Sequence, residues 1–204
     1  ENFIIFKGLF LISLILFLLI GKKNFLDIFI NVLSSVSNSG IAIYESPKNF
    51  YFLFILLTII GGSLISNSAG IKFIRIYILF KSLIIEIFKL VTPNIVMDQR
   101  IFKTENKINN DNLNSSFLIF ICFFISIFFL SSILAAGGIN FENSFKLSIL
   151  TITNTVNSSL YGLDKIDFSN LLTSSKLSLI LFMVLGKIEL ISLFIVIKKV
   201  ITWK

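Results

Sequence analysis

Gly61-Gly62-Ser63-Leu64-Ile65-Ser66-Asn67-Ser68-Ala69-Gly70 interrupts a hydrophobic stretch that runs from about Phe50 to Leu90. Lipid offers no partner for free backbone N–H and C=O groups. Non-helical backbone at membrane depth therefore persists only where it is buried in protein or lines a watery cavity. Interrupted helices of this kind mark ion and substrate pathways in transporters. The stretch points to a conduit for something small and polar.

The surrounding composition agrees. Of 204 residues, 55% are hydrophobic and 14% charged, whereas a soluble domain carries about 25% charged residues. Phe117–Leu134 and Leu177–Ile197 are long enough to cross a hydrocarbon layer of about 30 Å. This composition specifies an integral membrane protein.

A net charge of +7 does not signal nucleic acid, because the basic residues form no soluble patch with interleaved aromatics. They gather at segment ends, as the positive-inside rule expects. Lys81, Lys89, Arg100, Lys103 and Lys107 lie in or beside one loop, and Lys198, Lys199 and Lys204 end the chain; both regions are expected to be cytoplasmic. There is no histidine, and the single cysteine, Cys122, sits in an apolar span. That removes a His/Cys metal cluster, an internal disulfide and a His-based catalytic triad, so no enzyme is expected. Phe3–Ile20 lacks the small-residue cleavage site of a signal peptide. With Glu1 in first place, the sequence reads as starting partway through a larger protein.

Two segments share one layout. A spanning helix (about Phe3–Ile20) precedes a short amphiphilic stretch (Asn24–Val36), the polar run Ser37-Asn38-Ser39-Gly40 and a second span from near Ser46-Pro47. A second spanning helix (about Ser116–Ala136) precedes Phe141–Thr153, the polar run Asn154-Thr155-Val156-Asn157-Ser158-Ser159 and a last helix (about Ser169–Lys198). Helix, half-helix, polar loop, helix is the signature of a re-entrant pore loop, whose extended return exposes carbonyls to an ion. The expected fold is an all-α membrane protein of two such repeats, residues 1–90 and 116–204, joined by a polar cytoplasmic linker, 91–115. With the linker inside, both pore loops enter from outside.

Gly61–Gly70 is followed by Ile71-Lys72-Phe73-Ile74-Arg75. This is not a phosphate-binding P-loop, which needs Lys directly after Gly. Small-residue packing between helices is the plainer alternative, but the run is longer than packing requires. Here the sequence resembles the Trk/Ktr/HKT potassium transporter superfamily, most closely its TrkH-type branch. That family carries GG…GSTGGGIK…R as an intramembrane gating loop, matched by Gly61, Gly62, Ser66, Gly70, Ile71, Lys72 and Arg75. Phe80-Lys81, Leu90-Val91 and Pro93-Asn94 resemble the family's LLFKQ…LKRLVHPN, and Met183 to Glu189 resembles M-x-x-G-R-x-E. The likeness covers the family's third and fourth repeats, its C-terminal half.

The resemblance implies a K⁺ uptake subunit, multi-pass in a bacterial inner membrane. It implies a homodimer working with a cytosolic nucleotide-binding regulatory subunit of the TrkA/KtrA type, K⁺ as cargo and no cofactor in this chain. It implies a selectivity filter at Ser37, Asn38, Ser39 and Gly40 and at Thr155, Val156, Asn157 and Ser158, with Ser158 where relatives have the filter glycine. The implied gate loop, 61–71, contains Gly61, Gly62, Ser63, Ser66, Asn67, Ser68 and Gly70, with Lys72 and Arg75 just beyond. Lys187, at the family's arginine position, and Glu189 are charges inside a span, which makes them functional candidates; snorkelling is the plainer role for Lys187. Serine enters positive φ only at a cost, so Ser158 motivates an alternative, a Na⁺-permeable or weakly selective member. Ile65, Ser68 and Ala69, where relatives have glycines, motivate another, a non-transporting remnant.

Overall fold

The structure, a computed structural model, describes residues 2–20, 24–43, 47–63, 66, 68–92, 100–102, 108–163, 166, 168–169 and 171–188. Seven helices carry nearly all of its regular structure: α1 (Asn2–Ile20), α2 (Phe25–Val36), α3 (Tyr51–Ile59, led by a 3₁₀ turn, Lys48–Phe50), α4 (Phe73–Val91), α5 (Asn110–Ala136), α6 (Phe141–Ile152) and α7 (Thr173–Ile188). Between α3 and α4 lie two very short strands, β1 (Ile60–Gly61) and β2 (Ile71–Lys72), paired in parallel.

Among the described residues two helices, α1 and α5, are long and apolar enough to cross a membrane. Their outer faces present Phe3, Leu11, Leu18 and Leu19, and Ile125, Phe128 and Phe129, all exposed. So much exposed apolar surface suits lipid rather than water. The chain is an all-α membrane protein. Their inner faces place Leu16, Ile127, Leu130 and Leu134 in one core with Ile28, Val32, Phe54, Ile149 and Leu150. Serines within these helices satisfy their hydroxyls locally, as Ser13 does on the Phe10 carbonyl at 2.7 Å and Ser131 on the Phe128 carbonyl at 2.9 Å.

The two repeats keep one register. Counterparts lie 116 residues apart, as Ile20 and Ala136, Phe25 and Phe141, and Val36 and Ile152 show. Within the half-helices, Phe25 stacks on Phe29 at 6.0 Å between ring centroids, and Phe141 on Phe145 at 6.3 Å. The helix α5 begins at Asn110, inside the segment expected as linker, and Asp111 in its first turn favours the positive end of the helix dipole. The helix α4 runs on to Val91. From the linker, Phe102 folds back onto α4, its ring 4.1 Å from that of Tyr77, and Lys81 Nζ donates to the Arg100 carbonyl. The end of the chain beyond Ile188, with Glu189, lies outside the described residues, as does Asn67.

Candidate functional site

The half-helices end in the same turn. In the first repeat the N–H groups of Ser37, Asn38 and Ser39 donate to the carbonyls of Leu33, Ser35 and Ser34. In the second, Thr153, Asn154 and Thr155 donate to Ile149, Thr151 and Leu150, position for position. Asn38 (φ 60°) and Asn154 (φ 52°) are left-handed, a conformation that asparagine adopts more readily than most residues at the end of a helix. This pattern pairs Ser37-Asn38-Ser39-Gly40 with Thr153-Asn154-Thr155-Val156. The sequence resemblance pairs it with Thr155-Val156-Asn157-Ser158, two residues later. The backbone register thus puts Val156, not Ser158, opposite Gly40.

The two turns meet. Gly40 (φ +69°) lies so close to Val156 that a Cβ added to it would stand 2.1 Å from the Val156 carbonyl oxygen. Asn31 Oδ1 accepts from the Ile43 N–H at 3.0 Å, holding the chain that leaves the first turn against α2. Ser34 and Ser39 hydroxyls bond at 2.9 Å, and those of Thr153 and Thr155 at 2.8 Å. Among the described residues no donor reaches the carbonyls of Asn38, Ser39, Gly40, Val156 or Asn157. Neither half-helix carries a basic residue in its last turn, so two negative dipole ends converge here, each favouring a cation by about 0.3–1 kcal/mol. Ser158 Oγ is buried without a partner among the described residues. Beyond it, a Cβ on Gly162 (φ +57°) would run into the Tyr51 ring, and the buried Tyr161 hydroxyl faces Ser35 of α2. The segment that leaves the second turn therefore packs on the first repeat.

Below the first turn lies the interruption. The β1–β2 bridge pins both ends of the loop, pairing Ile60 with Ile71 and Gly61 with Lys72. Inside it Ser68 Oγ accepts from the Gly62 N–H at 2.8 Å and bonds Ser66 Oγ at 2.7 Å, while Ser66 Oγ donates to the Ser63 carbonyl at 2.9 Å. Gly70 (φ +83°) passes so close to the end of α3 that a Cβ would sit 2.8 Å from the Ile59 carbonyl oxygen. Lys72 is buried, 7% exposed, and donates to the Ser66 carbonyl at 2.6 Å and the Ser68 carbonyl at 2.8 Å. A buried ammonium is tolerated only when so bonded. A cavity of about 430 Å³ lies beside the loop and the first turn, lined by Leu9, Leu33, Val36, Ser37, Gly62, Ser66 and Ser68.

Each asparagine of the paired turns also reaches the second half of its own repeat. Asn38 Nδ2 donates to the Ala69 carbonyl in the loop at 2.9 Å, and Asn154 Nδ2 to the Met183 carbonyl in α7 at 2.9 Å. The other end of the Asn38 amide, Oδ1, is buried without a donor among the described residues, a cost of about 1–3 kcal/mol. Arg75 shares a small cleft with Gly70, Ile152 and Gly186. A Cβ on Gly186 would lie 1.9 Å from the Ile152 carbonyl oxygen, so this glycine lets α7 touch the end of α6. Lys187 is exposed in the last turn of α7. The asparagine tethers and the Gly40–Val156 approach carry no motif of their own; the repeated Ser/Thr-Asn-Ser/Thr after each half-helix is the one sequence signal for them.

No protein-family model matches the sequence, and no curated protein does. The backbone is similar to the crystal structure of the potassium transporter TrkH from Vibrio parahaemolyticus, with a TM-score of 0.79 and 22% sequence identity. The similarity covers 96% of this chain and 43% of that one, so the chain spans under half the length of that relative. The likeness establishes the fold: two helix–pore-loop–helix repeats of the TrkH type.

Proposed function

We propose that this chain forms two of the four sides of a K⁺-conducting pore, as part of a Trk/Ktr-type uptake subunit in a bacterial inner membrane. One observation carries the reading: two half-helix C-termini converge on turns that meet at Gly40 and Val156, with carbonyls left open to a cation. Dehydrating K⁺ requires such carbonyls to replace its water shell. The 61–71 loop, clamped by Lys72, is the gate beneath. The transported ion is the cargo and no resident cofactor is needed. A second copy of the subunit and a cytosolic nucleotide-binding regulator of the TrkA/KtrA type complete the proposed system.

The test is complementation of a K⁺-uptake-deficient strain at low K⁺ by the complete four-sided protein that contains this chain, together with ⁸⁶Rb⁺ uptake into proteoliposomes holding the same protein. Growth and saturable uptake are expected. A well-expressed, monodisperse protein that gives neither would instead support a non-transporting remnant.

Weak selectivity is the second reading, and it is favoured by the second filter segment. Val156 occupies the Gly40 register position, and Ser158 Oγ is buried without a partner among the described residues, where it offers a hydroxyl ligand in place of a carbonyl. On this reading Na⁺ competes measurably with Rb⁺, and Ser158→Gly shifts the preference toward Rb⁺ by about 0.5–1.5 kcal/mol, the worth of one hydrogen-bonding ligand. Equal Na⁺ inhibition of wild type and Ser158→Gly would remove Ser158 from the filter.

A further inference from the structure

We infer that Asn38 is a positioning residue through which the gate loop sets the conformation of the filter, and that Asn154, its counterpart, holds its own filter segment to a fixed support instead. This rests on the pore reading above.

The two asparagines are equivalent by every local measure. They follow half-helices of equal length, share a left-handed backbone and the same turn hydrogen bonds, and each donates Nδ2 to a backbone carbonyl 2.9 Å away. They differ in what they hold. Asn154 bonds Met183 within the continuous helix α7, whereas Asn38 bonds Ala69, which with Ser68 and Gly70 beside it lies outside any helix or strand.

Asn38 is also the more buried of the two, 7% exposed, and its Oδ1 has no donor among the described residues. If the loop moves away, Nδ2 loses its acceptor as well, leaving a buried amide unpaired at both ends. A buried polar group in that position is costly. The loop therefore does not leave alone: the Asn38 side chain and the left-handed turn that holds it relax too. The next residues in line are Ser39 and Gly40, whose carbonyls face the ion on the pore reading, and Gly40 packs directly on Val156. Loop displacement thus reaches both filter segments through one amide. The coupling is reciprocal: an ion that stabilises the filter turn stabilises the closed loop.

The test uses the membrane-reconstituted protein with Cys122 replaced by alanine and a reporter thiol at Ser63→Cys in the loop. Two quantities are read: the rate of labelling by a small methanethiosulfonate, and the Rb⁺/Na⁺ flux ratio. Asn38→Ala and Asn38→Asp, the latter isosteric and, when ionised, unable to donate, are expected to speed labelling about tenfold and to lower the flux ratio severalfold. Asn154→Ala is expected to lower the ratio while leaving labelling within twofold of the parent. Saturating K⁺ should slow labelling in the parent and not in Asn38→Ala. Equal labelling of Asn38→Ala, Asn38→Asp and the parent would overturn the inference, as would acceleration by Asn154→Ala. Labelling is read without transport, so absent flux in the parent would count against the pore reading alone.

Discussion

Gly40→Ala should abolish cation flux and lower the thermal midpoint of the detergent-solubilised protein. The left-handed φ of +69° costs an alanine about 1–2 kcal/mol. The new Cβ would also stand 2.1 Å from the Val156 carbonyl oxygen and 2.9 Å from its nitrogen. Those are backbone atoms, so no rotamer change relieves the overlap, and overpacking of this kind costs about 1–3 kcal/mol more. The strain is released by parting the two turns, which spoils the carbonyl geometry of the proposed filter. Gly138→Ala is the control: its φ is +93° but nothing lies within 4 Å of its Cβ. It should show the conformational cost alone and retain flux. Normal ⁸⁶Rb⁺ uptake by Gly40→Ala would mean that Gly40 and Val156 do not line the path.

Lys72→Met should have the opposite effect, raising basal flux about ten- to hundredfold. The ammonium is the loop's charged clamp, bonded to the Ser66 and Ser68 carbonyls. Hydrogen bonds to a charged group contribute about 1.5–3 kcal/mol, and each 1.4 kcal/mol is tenfold in an opening equilibrium. Methionine keeps most of the apolar stem and loses the clamp, and it also removes a positive charge from beside the proposed cation path. Lys72→Arg, which keeps the charge, should stay near the parent. Unchanged or reduced ⁸⁶Rb⁺ influx in a folded Lys72→Met protein would show that the loop is not the barrier.

Much of this architecture is legible in the residues. The apolar runs give α1 and α5, the short amphiphilic stretches give α2 and α6 to within a residue, and the small-residue run ends α3 and delays α4 until Phe73. The start of α5 is not legible in hydropathy, because Asn110 to Ser115 is polar and helical only as an extension of the apolar helix behind it. The register of the second turn is a subtler case. Alignment on glycines leads to position 158, where this chain has a serine. The backbone instead follows the turn after the half-helix, where Asn154 repeats Asn38. The link from Asn38 to Ala69 spans 31 residues, a separation at which periodicity and local propensity carry no information. The Lys72 clamp lies closer to hand, yet a lysine four residues after a serine does not announce that it will turn back onto that serine's carbonyl.

The parallel bridge between Ile60–Gly61 and Ile71–Lys72 has a mechanical consequence. Paired strands stand about 4.8 Å apart, so the bridge holds the two ends of the intervening run at a fixed separation, and on the gate reading that run is a flap on a fixed base. On that reading the proposed flap swings within its own footprint and asks neither α3 nor α4 to tilt. Membrane tension does work only through a change in a protein's area within the bilayer, and this motion produces none. Opening by the flap should therefore be indifferent to stretch and to bilayer thickness: suction applied to a patch, or a change of lipid chain length, should leave the open probability unaltered. A strong response to either would mean that whole helices move.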